Sequence, residues 1–154
     1  LYALTSHLAS FYGITPVRRV GGTWVGCIGF FRSAGNELKN CLSALEFCAH
    51  ILRLANKEFY TPVALAFEHG MIVGGFVRSP KFDVYGQEVR NVLQMVDCHY
   101  NKRIIIGDQA LDLFSQAVHS NASLDIKLIR TPLSPPWLAK KLAECFTLGN
   151  PENF

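Results

Sequence analysis

The chain has 154 residues, 49% of them apolar and 18% charged, with a formal net charge of +3. This is enough for one domain with a sizeable core, and too apolar for a disordered segment. Lys and Arg are scattered as Arg18-Arg19, Lys102-Arg103 and Lys140-Lys141, not gathered on one face, which argues against a nucleic-acid partner. The five cysteines (Cys27, Cys41, Cys48, Cys98 and Cys145) are odd in number and form no CxxC. They read as free, mostly buried thiols of a reducing compartment. No apolar run of about 18 residues and no signal-like leader occurs, so a membrane is expected only through other parts of a parent protein and the location is expected to be cytoplasmic. The chain opens without Met and in mid-helix, as a piece of a longer protein would.

Residues 1–11 place Leu1, Leu4, Leu8 and Phe11 at helical spacing, and Tyr12-Gly13 stops that helix. Residues 14–31, ITPVRRVGGTWVGCIGFF, are two apolar runs around Gly21-Gly22, a tight hairpin. Gly26 and Gly29 suggest close approach of a backbone or a ligand. After a turn at 32–36, residues 37–57 form an amphipathic helix whose stripe is Leu38, Cys41, Leu42, Leu45, Cys48, Ala49, Leu52 and Ala55. Residues 63–68 and 71–77 read as a second hairpin that reverses at His69-Gly70, followed by a loop at 78–81.

Gly86 precedes a helix at about 87–97 with Val89, Val92, Leu93 and Val96 inward. Residues 103–106 are a short buried strand, Gly107-Asp108 opens a helix at about 108–118, and residues 124–129 alternate like a strand. Beyond Thr131, prolines 132, 135 and 136 break the backbone before a helix at 137–145 and a last strand at 146–148. Strand pairs alternating with helices indicate an α+β fold, with helices on one face of a mostly antiparallel sheet.

Three pieces in order, YGITPVRRVGGTWVGCIGF, FEHGMIVGGFV and FDVYGQEVRNVLQM, together resemble the class III adenylyl/guanylyl cyclase catalytic domain. The match covers about residues 1–115 and leaves 116–154 divergent. The resemblance implies a ferredoxin-like antiparallel sheet and a single cyclase homology domain over 1–154 that lacks its first strand. It also implies attack of a ribose 3′-hydroxyl on an α-phosphate, assisted by two divalent metals held by two aspartates. One aspartate would lie upstream of Leu1. The other falls on Gly22, which offers no side-chain ligand.

The family's ribose-orienting Asn and phosphate-stabilising Arg fall on Arg90 and Gln94; Asn91 is displaced by one residue, about 100° around a helix. The Lys–Asp pair that selects adenine falls on Arg18 and Asp83, with Tyr85 nearby as a further nucleotide-binding candidate. The alternative is an ordinary solvated Arg18 and an Asp83 that caps the turn before Gly86.

The resemblance thus implies a degenerate domain, inactive by itself, that dimerises with a like or unlike cyclase-like domain. It would bind no cofactor alone, and Mg or Mn with ATP only where a partner supplies the metal ligands. Two other readings are a working adenylyl, less readily guanylyl, cyclase half that needs such a partner, and a non-catalytic module that senses a purine nucleotide such as ATP or GTP. His69 reads as a turn residue, Cys41 and Cys48 as core. No G-x-S-x-G, P-loop or G-x-G-x-x-G motif is present. Phe82 and Tyr85 beside Arg78 and Lys81 read as dimer-face aromatics, not as a nucleic-acid stacking platform.

Overall fold

The structure is a computed structural model that describes residues 1–30, 36–78, 81–97, 103–120, 128–131 and 145–148. Helix α1, Tyr2–Phe11, ends where Gly13 takes φ +70°. There the amides of Tyr12 and Gly13 fold back onto the carbonyls of Leu8 and Ser10. The hairpin read from Gly21-Gly22 is present: β1, Ile14–Val20, pairs antiparallel with β2, Thr23–Ile28, and Val20 faces Thr23 across the two-residue turn. Gly21 sits at φ +56°, the left-handed conformation that such a turn requires.

Helix α2 spans Glu37–Lys57, as its stripe predicts. Asn36 caps it by accepting from the Lys39 amide at 3.0 Å, and Glu37 and Lys57 lie at the ends where the helix dipole favours their charges. Cys41, Leu45, Phe47, Cys48, Ile51, Leu52 and Ala55 are buried. Each large apolar side chain among them contributes roughly 1.5–3 kcal/mol by leaving water. Cys27, Cys41 and Cys48 are free and buried, as expected of core thiols. Burial pushes the Cys41 thiol up to about 11, with Glu37 and Glu68 adding to it, and the Cys48 thiol to about 12.

The second expected hairpin is a correction. Strand β3, Ala64–Phe67, does not pair with β4, Val73–Arg78. It pairs parallel with β6, Arg103–Ile106, while β4 pairs antiparallel with β5, Lys81–Tyr85, a strand the sequence reading left partly in a loop. The hairpin is therefore the one formed by β4 and β5, and His69-Gly70 lies at a corner between sheets.

Helix α3, Gln87–Asp97, follows Gly86; its fully buried residue is Met95, while Val89, Val92, Leu93 and Val96 are half-buried. Helix α4 spans Asp108–Ser120. Strands β7, Leu128–Thr131, and β8, Cys145–Leu148, complete a four-stranded sheet in the order β3-β6-β8-β7. Of the expected turn at 32–36 and helix at 137–145, residues 32–35 and 137–144 lie outside the described residues, Asn36 is the cap of α2, and Cys145 belongs to β8, not to a helix.

The fold is α+β with mostly antiparallel pairing, the parallel β3–β6 pair excepted. Helix α2 packs on α4 and on strands β3 and β6. Phe67 and Phe114 meet edge to face at 5.6 Å between ring centres, and Ile104, Ile106 and Ala110 close the core around them. Among the described residues no helix is long and apolar enough to cross a membrane.

Candidate functional site

Successive side chains of a strand point to opposite faces, and β1 uses this to send two adjacent arginines different ways. Arg19 lies over the Tyr2 ring of α1, 3.8 Å from its centre. Arg18 crosses to β5, where its Nη1 donates to Asp83 Oδ2 at 3.2 Å. An irregularity between Pro16 and Arg18 breaks the β1–β2 register just before this residue, the kind of feature that re-aims a side chain. The two positions linked by sequence reasoning are therefore in contact, 65 residues apart in the chain.

Asp83 is 7% exposed. Its Oδ1 accepts from the Val84 amide at 2.9 Å, and its Oδ2 also accepts from the Tyr85 hydroxyl at 3.4 Å. Three donors thus occupy a carboxylate that can accept about four. This corrects the alternative of a solvated Arg18 and a turn-capping Asp83: Arg18 is a half-buried ion-pair partner, and Asp83 is a buried strand residue. Tyr85, the third candidate, joins the same network. Its ring remains 49% exposed beside Asp83.

Gly22 lies at the exposed tip of the β1–β2 hairpin, and the Tyr2 hydroxyl donates to its carbonyl. The depression between α1 and this hairpin, about 400 Å³, is lined by Tyr2, Ser6, Arg19 and Trp24 among others. Those groups are engaged with one another, Trp24 Nε1 donating to Ser6 Oγ at 3.3 Å. A glycine whose one nearby acceptor already takes a phenol proton does not fit a divalent metal, which requires oxygen ligands in a charged cage. No metal-dependent step is derived from this chain.

Arg90 and Gln94 lie on α3, Arg90 exposed and Gln94 half-buried. Asn91 accepts from Gln87 Nε2 at 2.9 Å, one helical turn back, so its amide is engaged along the helix surface. The sequence reading missed two features of this region. First, Glu68, just after β3, accepts from the Ala110 amide at 3.1 Å and so caps α4 from 42 residues away. It also accepts from the His69 amide at 2.9 Å. Gly107 makes room for it, since a Cβ there would collide with the carboxylate. Burial pushes the Glu68 carboxyl above the usual carboxylate range, the two amides oppose this, and Asp108 and Glu88 add to it. A glycine just ahead of an acidic helix start was the one available signal. His69, read as a turn residue, stands at this corner with its Nε2 3.7 Å from Glu37 Oε2.

The second feature, of which sequence reasoning named only Phe82 and Tyr85, is a set of exposed apolar side chains on β4, β5 and the corner before them. Met71, Val73, Phe76, Val77 and Tyr85 are 86%, 70%, 69%, 54% and 49% exposed. Phe82 lies beneath, 5.2 Å from Phe30 and 5.7 Å from Phe76. Val73 and Tyr85 are cross-strand partners, an exposed apolar pair of the kind found at interaction surfaces.

A family model described as the adenylate and guanylate cyclase catalytic domain matches residues 1–147. No curated protein matches the chain. Among solved structures, the catalytic core of a rhodopsin-guanylyl cyclase with converted specificity, in complex with ATPαS, superposes with a TM-score of 0.70 at 14% identity. That match covers 96% of this chain and 76% of the other. A non-canonical dimeric guanylyl cyclase domain of the RhoGC fusion protein from the aquatic fungus Blastocladiella emersonii gives 0.70 at 11% identity, covering 97% and 79%. The adenylyl cyclase CyaB from P. aeruginosa gives 0.66 at 14%, covering 97% and 78%. At such identities these likenesses speak for the fold.

Proposed function

The chain belongs to the adenylate and guanylate cyclase catalytic domain family, and from that premise we propose that it is a dimerising, regulatory half whose own phosphate chemistry has been lost. The carrying observation is a contrast among the family's site positions in this chain. The base-recognition positions hold a buried ion pair, Arg18–Asp83 at 3.2 Å, while the metal position holds Gly22, its carbonyl bonded to Tyr2. The positions for ribose and α-phosphate hold Arg90 and Gln94. Gln94 carries no charge, and losing a charged donor at an anionic transition state costs several kcal/mol. The exposed apolar side chains of β4 and β5 support pairing with another cyclase-like domain, as one structurally similar guanylyl cyclase domain is dimeric. A homodimer of this chain would repeat Gly22 and Gln94 at both of its sites.

The Arg18–Asp83 pair favours a second reading, an adenylyl cyclase half completed by a partner that brings the metal carboxylates. A similar core binds ATPαS, and Asp83 keeps an acceptor for an exocyclic amine. The two readings separate in one assay. The purified domain is incubated with ATP or GTP and Mn²⁺, alone and with an intact cyclase-like partner domain, and cyclic nucleotide is measured. The proposal expects none in either arm from sites that depend on this chain. Turnover that disappears on Asp83→Ala would overturn it.

A further inference from the structure

Two adjacent glycines in β4 have different explanations. At Gly74 a Cβ would run into the rings of Phe30 at 2.7 Å and Phe82 at 2.8 Å, so packing excludes a side chain there. At Gly75 a Cβ would meet nothing within 4 Å among the described residues, and φ is not positive. Neither packing nor backbone conformation requires glycine at 75, while glycine in a strand weakens it. Gly75 is the cross-strand partner of Asp83. Directly opposed residues share a face of the sheet with their Cβ positions about 5 Å apart. The bare position is therefore the one beside the buried carboxylate, on the face that also carries Tyr85 and its partner Val73.

We propose that Gly75 determines the shape of a purine subsite: its missing side chain leaves the sheet face beside Asp83 open, so that a flat base can lie on the β4 backbone with its edge toward Asp83 and Arg18. This rests on the nucleotide-binding reading above. It adds a residue that acts by absence, next to a carboxylate with about one acceptor position left. A base seated there would be flanked by Val73 and the exposed ring of Tyr85.

The test titrates ATP, and inorganic tripolyphosphate as a base-free probe, into the purified wild-type, Gly75→Ala, Gly75→Val and Asp83→Asn proteins by calorimetry. Melting temperature and sedimentation are recorded for each. The expected result is ATP binding at least about tenfold weaker in Gly75→Val, as for a pocket that no longer admits its ligand. Gly75→Ala falls between, tripolyphosphate binding is unchanged, and the melting temperature is equal or higher because a flexible residue has been removed without strain. Equal ATP affinity in wild type and Gly75→Val overturns the subsite while leaving nucleotide binding intact. No ATP bound by wild type overturns both readings. A lower melting temperature in Gly75→Ala, or lost self-association with ATP binding retained, assigns the glycine to the fold or to a partner backbone and overturns the proposal.

Discussion

Asp83 and Glu68 are both acidic side chains withdrawn from water, and the fold treats them differently. Asp83 faces a guanidinium, a phenol and an amide, so its charge is matched and hydrogen-bonded. Among the described residues Glu68 has two backbone amides and no cation, and Asp108 and Glu88 push its carboxyl up in the same sense as burial. The first arrangement suits a carboxylate fixed by donors from two strands. The second suits a cap that closes the start of α4 and tolerates its charge poorly. Family resemblance led to Asp83, whereas only the folded chain identifies Glu68.

Removing the cation from the matched pair is the largest expected disturbance. Arg18→Ala leaves Asp83 buried with no counter-charge. It is expected to cost roughly 2–4 kcal/mol, below the range for a fully buried pair because the Arg18 side chain is 23% exposed. Denaturant unfolding at pH 7 measures this. Adding Asp83→Asn to Arg18→Ala should recover part of the loss, and a double-mutant cycle with no coupling would mean that the pair does not hold the two hairpins together.

Gly107→Ala comes next. Its Cβ would occupy the space of the Glu68 carboxylate, so the helix cap must be expelled. Overpacking and a lost cap together are expected to cost about 2–3 kcal/mol. Combined with Glu68→Ala, the same change should cost less than it does alone, because the clash is gone. Equal penalties in both backgrounds would remove Glu68 from the account.

The unmatched carboxylate also predicts a pH dependence of known sign. The folded-state pKa of Glu68 is raised, so its contribution is fully present below the unfolded carboxylate value, about 4.3, and is lost as pH rises through the folded value. Glu68→Gln keeps an oxygen for the Ala110 amide and cannot ionise. The variant should therefore melt higher than wild type at pH 7, with the difference shrinking toward pH 4. A difference that stays constant with pH would show that Glu68 does not titrate across this window.

What the sequence disclosed follows from how local each determinant is. The α2 stripe and the Gly21-Gly22 turn are written within a few residues, and both appear with close to the expected bounds. The β3–β6 pairing joins strands separated by β4, β5 and α3, and parallel pairing has no short connecting turn to announce it. Read locally, VALAFEHGMIVGGFV resembles one hairpin, because the glycines at its centre mimic a turn. The Glu68 cap is likewise long-range, reaching Ala110, while the open face at Gly75 depends on the β4–β5 register with Asp83, which a hairpin read at His69-Gly70 does not contain.

The smallest expected effect bears on what the site has lost. Gly22 has no positive φ, and a Cβ there would stand at ordinary contact distance, 3.6 Å, from the Tyr2 hydroxyl. Gly22→Asp at this exposed tip should therefore change stability by no more than about 0.5 kcal/mol. If so, the scaffold never needed the glycine, and a metal-position carboxylate can return without refashioning the hairpin. With Mn²⁺ and ATP the variant is still expected to form no cyclic nucleotide, because on the proposed reading Arg90 and Gln94 replace the residues that act on ribose and α-phosphate. Adding Gln94→Arg then isolates that position. Turnover in the single variant would mean that the absent carboxylate alone silences the domain, and that Arg90 and Gln94 do not.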